Sequence, residues 1–183
     1  FDGTSVSAES ACTMEEHEIT YELMMRTGVK PTNLLVAACG PTSLRSRGVE
    51  TAEQLRQLGF DSLHLCDPDF CNEASMAYGA KAITGAFLAS AQDAVRIAGS
   101  EAMHILNIEP KHLLEHCAGF PGEALAVLQQ LPHGVSLKGV NCSTVLDAGL
   151  RAQALATCGY GLTAIVAQLA PTGSELGKLG YTV

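Results

Sequence analysis

The chain has 183 residues with a net charge of −8, only 16% charged side chains and 47% apolar ones. That apolar content excludes a disordered chain, which combines low hydrophobicity with high charge, and the length suits a single domain with its own core. The acidic balance, with no cluster of Lys or Arg, excludes a nucleic-acid binder, because phosphate contacts need gathered cations.

Residues 1–18 are rich in serine and acidic side chains, among them Asp2, Glu9, Glu15, Glu16 and Glu18. They read as an extended arm ahead of one domain covering residues 19–183. No charged stretch followed by an apolar one opens the chain, so no secretory signal is expected.

From Tyr21 onward a pattern recurs. Thr27-Gly28-Val29, Leu58-Gly59-Phe60, Ala118-Gly119-Phe120, Ala148-Gly149-Leu150 and Leu179-Gly180-Tyr181 each place a glycine before an apolar residue, spaced 31, 60, 30 and 31 residues apart. The doubled gap points to a degenerate copy at Leu88-Ala89-Ser90. Two further marks divide each period into thirds. One runs through Ala38-Cys39-Gly40, Phe70-Cys71, Ala98-Gly99-Ser100, Gln130-Leu131 and Cys158-Gly159-Tyr160, the other through Gly48-Val49, Gly79-Ala80, Asn107-Ile108, Gly139-Val140 and Leu169-Ala170. Each third begins on a Pro, Thr or acidic residue, as at Pro31, Pro41, Thr51, Pro110, Pro121 and Pro171. Pro suits the first position of a helix and Thr caps it. Gly accepts the left-handed backbone past its end, and the next apolar residue packs back on the last turn.

Helices this short do not stand alone in water. The expected architecture is therefore mainly α: a repeat solenoid of coils of about 30 residues, each with three short helical segments. The alternative is a leucine-rich-repeat-like coil with one short strand per repeat. Partial alternation in Met103-His104-Ile105-Leu106-Asn107-Ile108 and Val135-Ser136-Leu137-Lys138-Gly139-Val140 motivates it. Leu23, Leu34, Leu55, Leu114, Leu125, Val145, Leu155 and Leu176 are expected to point inward.

The stretches Leu55 to Phe60, Val145 to Leu150, Leu155 to Tyr160 and Leu176 to Tyr181 resemble the short tandem L-x-x-[AL]-G-[FY] repeats abundant in protist proteins. The resemblance covers about half of the chain and implies a solenoid; it implies no activity.

The sharpest chemical motif is His112-Leu113-Leu114-Glu115-His116. On a helix His112 and His116 lie four apart on one face and could hold Zn²⁺, with Glu115 as general base. The pattern resembles that of the inverted zinc proteases, which need a distant third acidic ligand; only Glu123 and Glu175 follow here. A solvated face is the expected role, with no cofactor. Gly159-Tyr160-Gly161-Leu162-Thr163-Ala164 fits G-x-G-x-x-A, but Gly159 already closes a repeat segment and no acid stands at the spacing a dinucleotide site requires. Asn141-Cys142-Ser143 matches a glycosylation pattern. Cys66-Asp67-Pro68-Asp69-Phe70-Cys71 reads as a turn between segments. The seven cysteines show no paired metal spacing and are expected to be free, in a reducing compartment such as the cytoplasm or an organelle interior.

The longest weakly polar run, Ala80 to Ala91, contains Lys81 and is too short to span a membrane. Low charge and abundant small neutral residues instead suit a surface buried against other protein subunits. The expected role is a non-catalytic scaffold subunit of a larger assembly, with Phe1, Tyr181 and Val183 as candidate contact residues and residues 163–183 abutting another chain. The alternative is a small metal-dependent enzyme using the H-x-x-E-H segment.

Overall fold

The computed structural model describes residues 19–131, 137 and 139–181. The expected arm, residues 1–18, lies outside them. The described residues form two compact units, which meet in sequence between Phe87 and Leu88, beside the degenerate copy at Ala89. Every regular element among the described residues is helical, and no helix among them is long and apolar enough to cross a membrane.

In the first unit the helices are α1 (Tyr21–Thr27), α2 (Pro31–Val36), α3 (Pro41–Ser46), α4 (Ala52–Gln57), α5 (Pro68–Tyr78) and α6 (Ala80–Phe87), with a 3-10 turn at His64–Cys66. The second holds α7 (Ala91–Ile97), α8 (Ala102–Ile105), α9 (Pro110–His116), α10 (Pro121–Gln130), α11 (Cys142–Asp147), α12 (Ala152–Thr157), α13 (Leu162–Leu169) and α14 (Gly173–Leu179). Helices α2, α3, α5, α9 and α10 each begin on a proline. Thr20, Thr51, Asp67, Ser90, Asn141 and Thr172 cap others through their side chains. The Pro and Thr punctuation read from the sequence thus works at the level of single helix starts.

Helix ends obey a rule just as local. Left-handed residues stand at Gly28, Ala38, Gly48 and Gly59, and again at Gly139, Gly149, Gly159, Ala170 and Gly180, about ten residues apart. After six such residues the next N–H reaches back five positions. Cys39 donates to Leu34, Val49 to Leu44, Ile108 to Met103, Leu150 to Val145, Tyr160 to Leu155 and Tyr181 to Leu176, all at 2.8–3.1 Å. This is the 6→1 bond of a Schellman closure, and it satisfies a carbonyl that the helix end would otherwise orphan.

The strand alternative fails at residues 103–108. Helix α8 occupies that stretch and Asn107 turns left-handed (φ 52°). A one-turn helix closed in this way buries Ala102, Leu106 and Ile108, which on paper reads as alternation. Of the second strand-like stretch only Leu137, Gly139 and Val140 are described; Leu137 and Val140 are buried.

Consecutive helices pack on one another, as α5 does on α6 and α9 on α10, and α7 packs on α9 about twenty residues on; a longer separation also recurs. Helix α3 packs on α5, α4 on α6, α7 on α10, α9 on α11 and α11 on α14, each pair about thirty residues apart in the chain. Polar side chains cross the same gap. The Thr42 N–H donates to Glu73 Oε1 (2.9 Å), at the start of α3. Arg56 donates to the carbonyl of Ala86 near the end of α6. The Leu137 N–H donates to Gln168 Oε1 (2.6 Å). The Gln130 amide, oriented by its partners, donates to the carbonyls of Val95 (3.0 Å) and Ala98 (3.1 Å) at the end of α7. At the start of α3 and the end of α7, backbone groups that a six- or seven-residue helix cannot satisfy from within are satisfied by a side chain some thirty residues away.

Of the eight residues expected inside, Leu34, Leu55, Leu114, Val145 and Leu155 are buried. Leu23, Leu125 and Leu176 are only half-buried; Met24, Val127 with Leu128, and Leu179 take the inward places. Register accounts for Leu23: Leu34, Leu55, Val145 and Leu155 each stand four residues before a left-handed closing residue, as does Met24 before Gly28, whereas Leu23 stands five before. It does not account for Leu176, four before Gly180 yet half-buried, or for Leu114, five before Gly119 yet buried.

Candidate functional site

The H-x-x-E-H segment forms the last five residues of α9. Leu113 and Leu114 face inward, while His112, Glu115 and His116 are exposed. Glu115 Oε1 lies 3.8 Å from Lys111 Nζ, an i,i+4 pair on the helix surface. Among the described residues no group of three or more His, Cys, Asp or Glu side chains is placed to hold a metal ion.

The Cys66–Cys71 stretch, expected to be a turn between segments, is mostly helix: Cys66 ends the 3-10 turn and Pro68 to Cys71 form the first turn of α5. Asp67 is the N-cap, its Oδ1 accepting the Phe70 N–H at 2.9 Å, and Pro68 opens the helix. Cys66 and Cys71 are both free. Burial, with a smaller contribution from Cys66, pushes the Cys71 thiol up to about 11. Burial, then Glu123, does the same to Cys117. Such thiols stay protonated and are poor nucleophiles and metal ligands near neutral pH. Cys142 and Cys158 are free as well. The expectation of free thiols fails at Cys39, which is disulfide-bonded and so departs from the reduced state expected of a reducing compartment.

Gly159 is a closing residue (φ 85°) and Gly161 the N-cap of α13, so the G-x-G-x-x-A match straddles a gap between two helices without a preceding strand. Asn141 is committed to capping α11. Its Oδ1 accepts from the Thr144 N–H at 2.8 Å and from the hydroxyls of Ser143 and Thr144 at 2.7 Å each. Of the candidate contact residues, Tyr181 is half-buried and its hydroxyl oxygen is occluded, with no hydrogen-bond partner among the described residues; burial raises its pKa. Phe1 and Val183 lie outside the described residues.

Two surfaces stand out that no motif announced. Helix α13 carries no charged side chain, and its outward positions Leu162, Thr163, Val166 and Ala167 are exposed, Leu162 and Val166 at 46% each. In the first unit a groove of about 470 Å³ runs between the end of α2 and the start of α5. Leu35, Ala38 and Phe70 form its apolar wall, and Asp67, Asp69 and Glu73 its acidic one. The Phe70 ring stacks on Phe60 with centroids 5.2 Å apart, and His64 meets Phe60 edge-on at 5.2 Å. His64 Nδ1 in turn lies 2.7 Å from Asp61 Oδ1. One sequence signal could have found this groove: a shift of 31 residues carries Ala38 to Asp69 and Thr42 to Glu73. Comparison with known proteins gives no match, whether to a family model, a curated protein or a solved structure.

Proposed function

We propose that the chain is a non-catalytic scaffold subunit of a larger protein assembly, built as a repeat solenoid of coils of about thirty residues with three short helical segments each. Helix pairs that recur at that separation support the solenoid, since stacked repeats contact their neighbours in this way. The observation that carries the scaffold role is the outward face of α13. A helix with no charged residue that exposes Leu162 and Val166 is a poor surface for a monomer and a good one for burial against another subunit. The exposed His112, Glu115 and His116, with Glu115 beside Lys111, fit a solvated helix face in this reading.

Light scattering behind size-exclusion chromatography tests the role. The isolated chain is expected to associate as concentration rises, and the double variant Leu162→Glu with Val166→Glu to run as a monomer with an unchanged melting temperature. A wild-type chain that stays a monodisperse monomer across the range refutes the scaffold role.

A further inference from the structure

We propose that the groove between α2 and α5 docks a short basic segment of a partner protein, one that presents a Lys or Arg beside an aliphatic side chain. The inference rests on the scaffold reading, of which it names one contact. Both halves of the occupant are read from the walls. Leu35 is 38% exposed at the groove, and Phe70 behind it is held by its stacking on Phe60. An apolar wall of this kind favours an aliphatic group that leaves water.

Asp67, Asp69 and Glu73 face the same space, and no Lys or Arg lines it. The nearest basic group from the packed helix α3, Arg45, lies over the Tyr78 ring, 5.8 Å from its centroid. Two of the carboxylates are fixed in place by helix ends: Asp67 Oδ1 holds the Phe70 N–H and Glu73 Oε1 the Thr42 N–H. The acidic wall is therefore preorganised, and its charge lies against low-dielectric side chains that focus its field. A neutral occupant would strip water from these carboxylates without replacing it, and a purely polar cation would leave Leu35 uncovered. The joint presence of an exposed Leu35 and three carboxylates in one groove favours a chain segment, which carries both kinds of group, over a small cation.

Fluorescence anisotropy with the whole chain tests the proposal. The probe is a fluorescein-labelled peptide, Gly-Lys-Leu-Arg-Leu-Lys-Gly, compared with one carrying Glu for every basic residue and one carrying Ser for every Leu. The basic, leucine-bearing peptide is expected to bind saturably and both controls at least about tenfold more weakly, a difference of about 1.4 kcal/mol. Asp69→Lys and, separately, Leu35→Ser should each weaken binding about tenfold or more; both residues are exposed, and unchanged melting shows that the variants fold. Absence of saturable binding, equal binding of the three peptides, or binding untouched by both substitutions overturns the proposal. The α13 double variant separates the two readings, since it should abolish self-association and leave peptide binding intact.

Discussion

A left-handed backbone costs an alanine about 1 kcal/mol more than a glycine, and the chain uses both at equivalent places. Gly159 (φ 85°) closes α12 with nothing within 4 Å of where a Cβ would stand, while Ala170 (φ 44°) closes α13. Gly159→Ala should therefore cost about 1 kcal/mol through backbone strain alone, and Ala170→Gly should recover a similar amount. Gly99→Ala should cost more than either, because the new Cβ would also collide with the carbonyl oxygen of Gln130. Urea denaturation of the three variants gives the ranking directly. Glu175 offers a pH test. The Thr172 N–H and hydroxyl both donate to its Oε2 at 2.8 Å, and these bonds hold its pKa below the ordinary glutamate value. A depressed folded pKa gives stability that is complete above the unfolded value and is lost as pH falls through the folded one. Melting temperature should accordingly drop on acidification through that window, and drop less in Glu175→Gln, which accepts the same bonds without titrating.

At the scale of the helix, stability comes from one inward side chain and one closure rather than from length. A six-residue helix such as α12 forms few internal bonds, and its fixed point is Leu155, fully buried, whose carbonyl also receives the Tyr160 N–H. Leu155→Ala and Leu114→Ala should each cost about 2–5 kcal/mol by chemical denaturation, and Leu125→Ala, at a half-buried place, clearly less. Most of this pattern was legible in advance. Pro31, Pro41, Pro110 and Pro121 begin helices, and the spacing marked segment ends at Ala38-Cys39-Gly40, Asn107-Ile108 and Leu169-Ala170; within them it is Ala38, Asn107 and Ala170 that turn left-handed, a choice the spacing did not make for the first and last. What was not legible has a physical cause. Leu23 resembles Leu155 in sequence, but of the neighbours Leu23 and Met24 it is Met24 that stands four residues before the closing Gly28 and faces inward. Leu176 stands at the same distance from Gly180 as Leu155 from Gly159, and its half-burial, with Leu179 inward, has no local signal in the sequence. Phe70-Cys71 was read as a segment end, yet Asp67 and Pro68 start a helix that runs through it to Tyr78. A strong start signal outweighed a weak stop.

Within each unit, a separation of about thirty residues recurs between packed helices among the described residues. The groove beside α5 draws Leu35 and Ala38 from one segment and Asp67, Asp69 and Glu73 from another. The sequence singled out Cys66-Asp67-Pro68-Asp69-Phe70-Cys71 only as a turn, and nothing in it pointed to Leu35, Ala38 or Glu73; the groove exists only where the two segments meet. Most of α13 falls within residues 163–183, expected to abut another chain, but the sequence did not say which of its side chains face outward; packing takes Ile165 and Leu169 inward and leaves Leu162 and Val166 exposed.

The bonds that close helix ends from a distance also fix how the chain can change length. Glu73 serves α3 and Gln168 serves Leu137 across 31 residues each, and Arg56 serves α6 across 30. Gain or loss of a single ten-residue segment within such a span would set each donor opposite the wrong helix, although every helix would keep its own start and closure. Gain or loss of three segments together would restore every pairing. If the chain is the repeat solenoid proposed above, these bonds make three segments together, rather than one, the smallest length that can be inserted or removed while each donor keeps its acceptor.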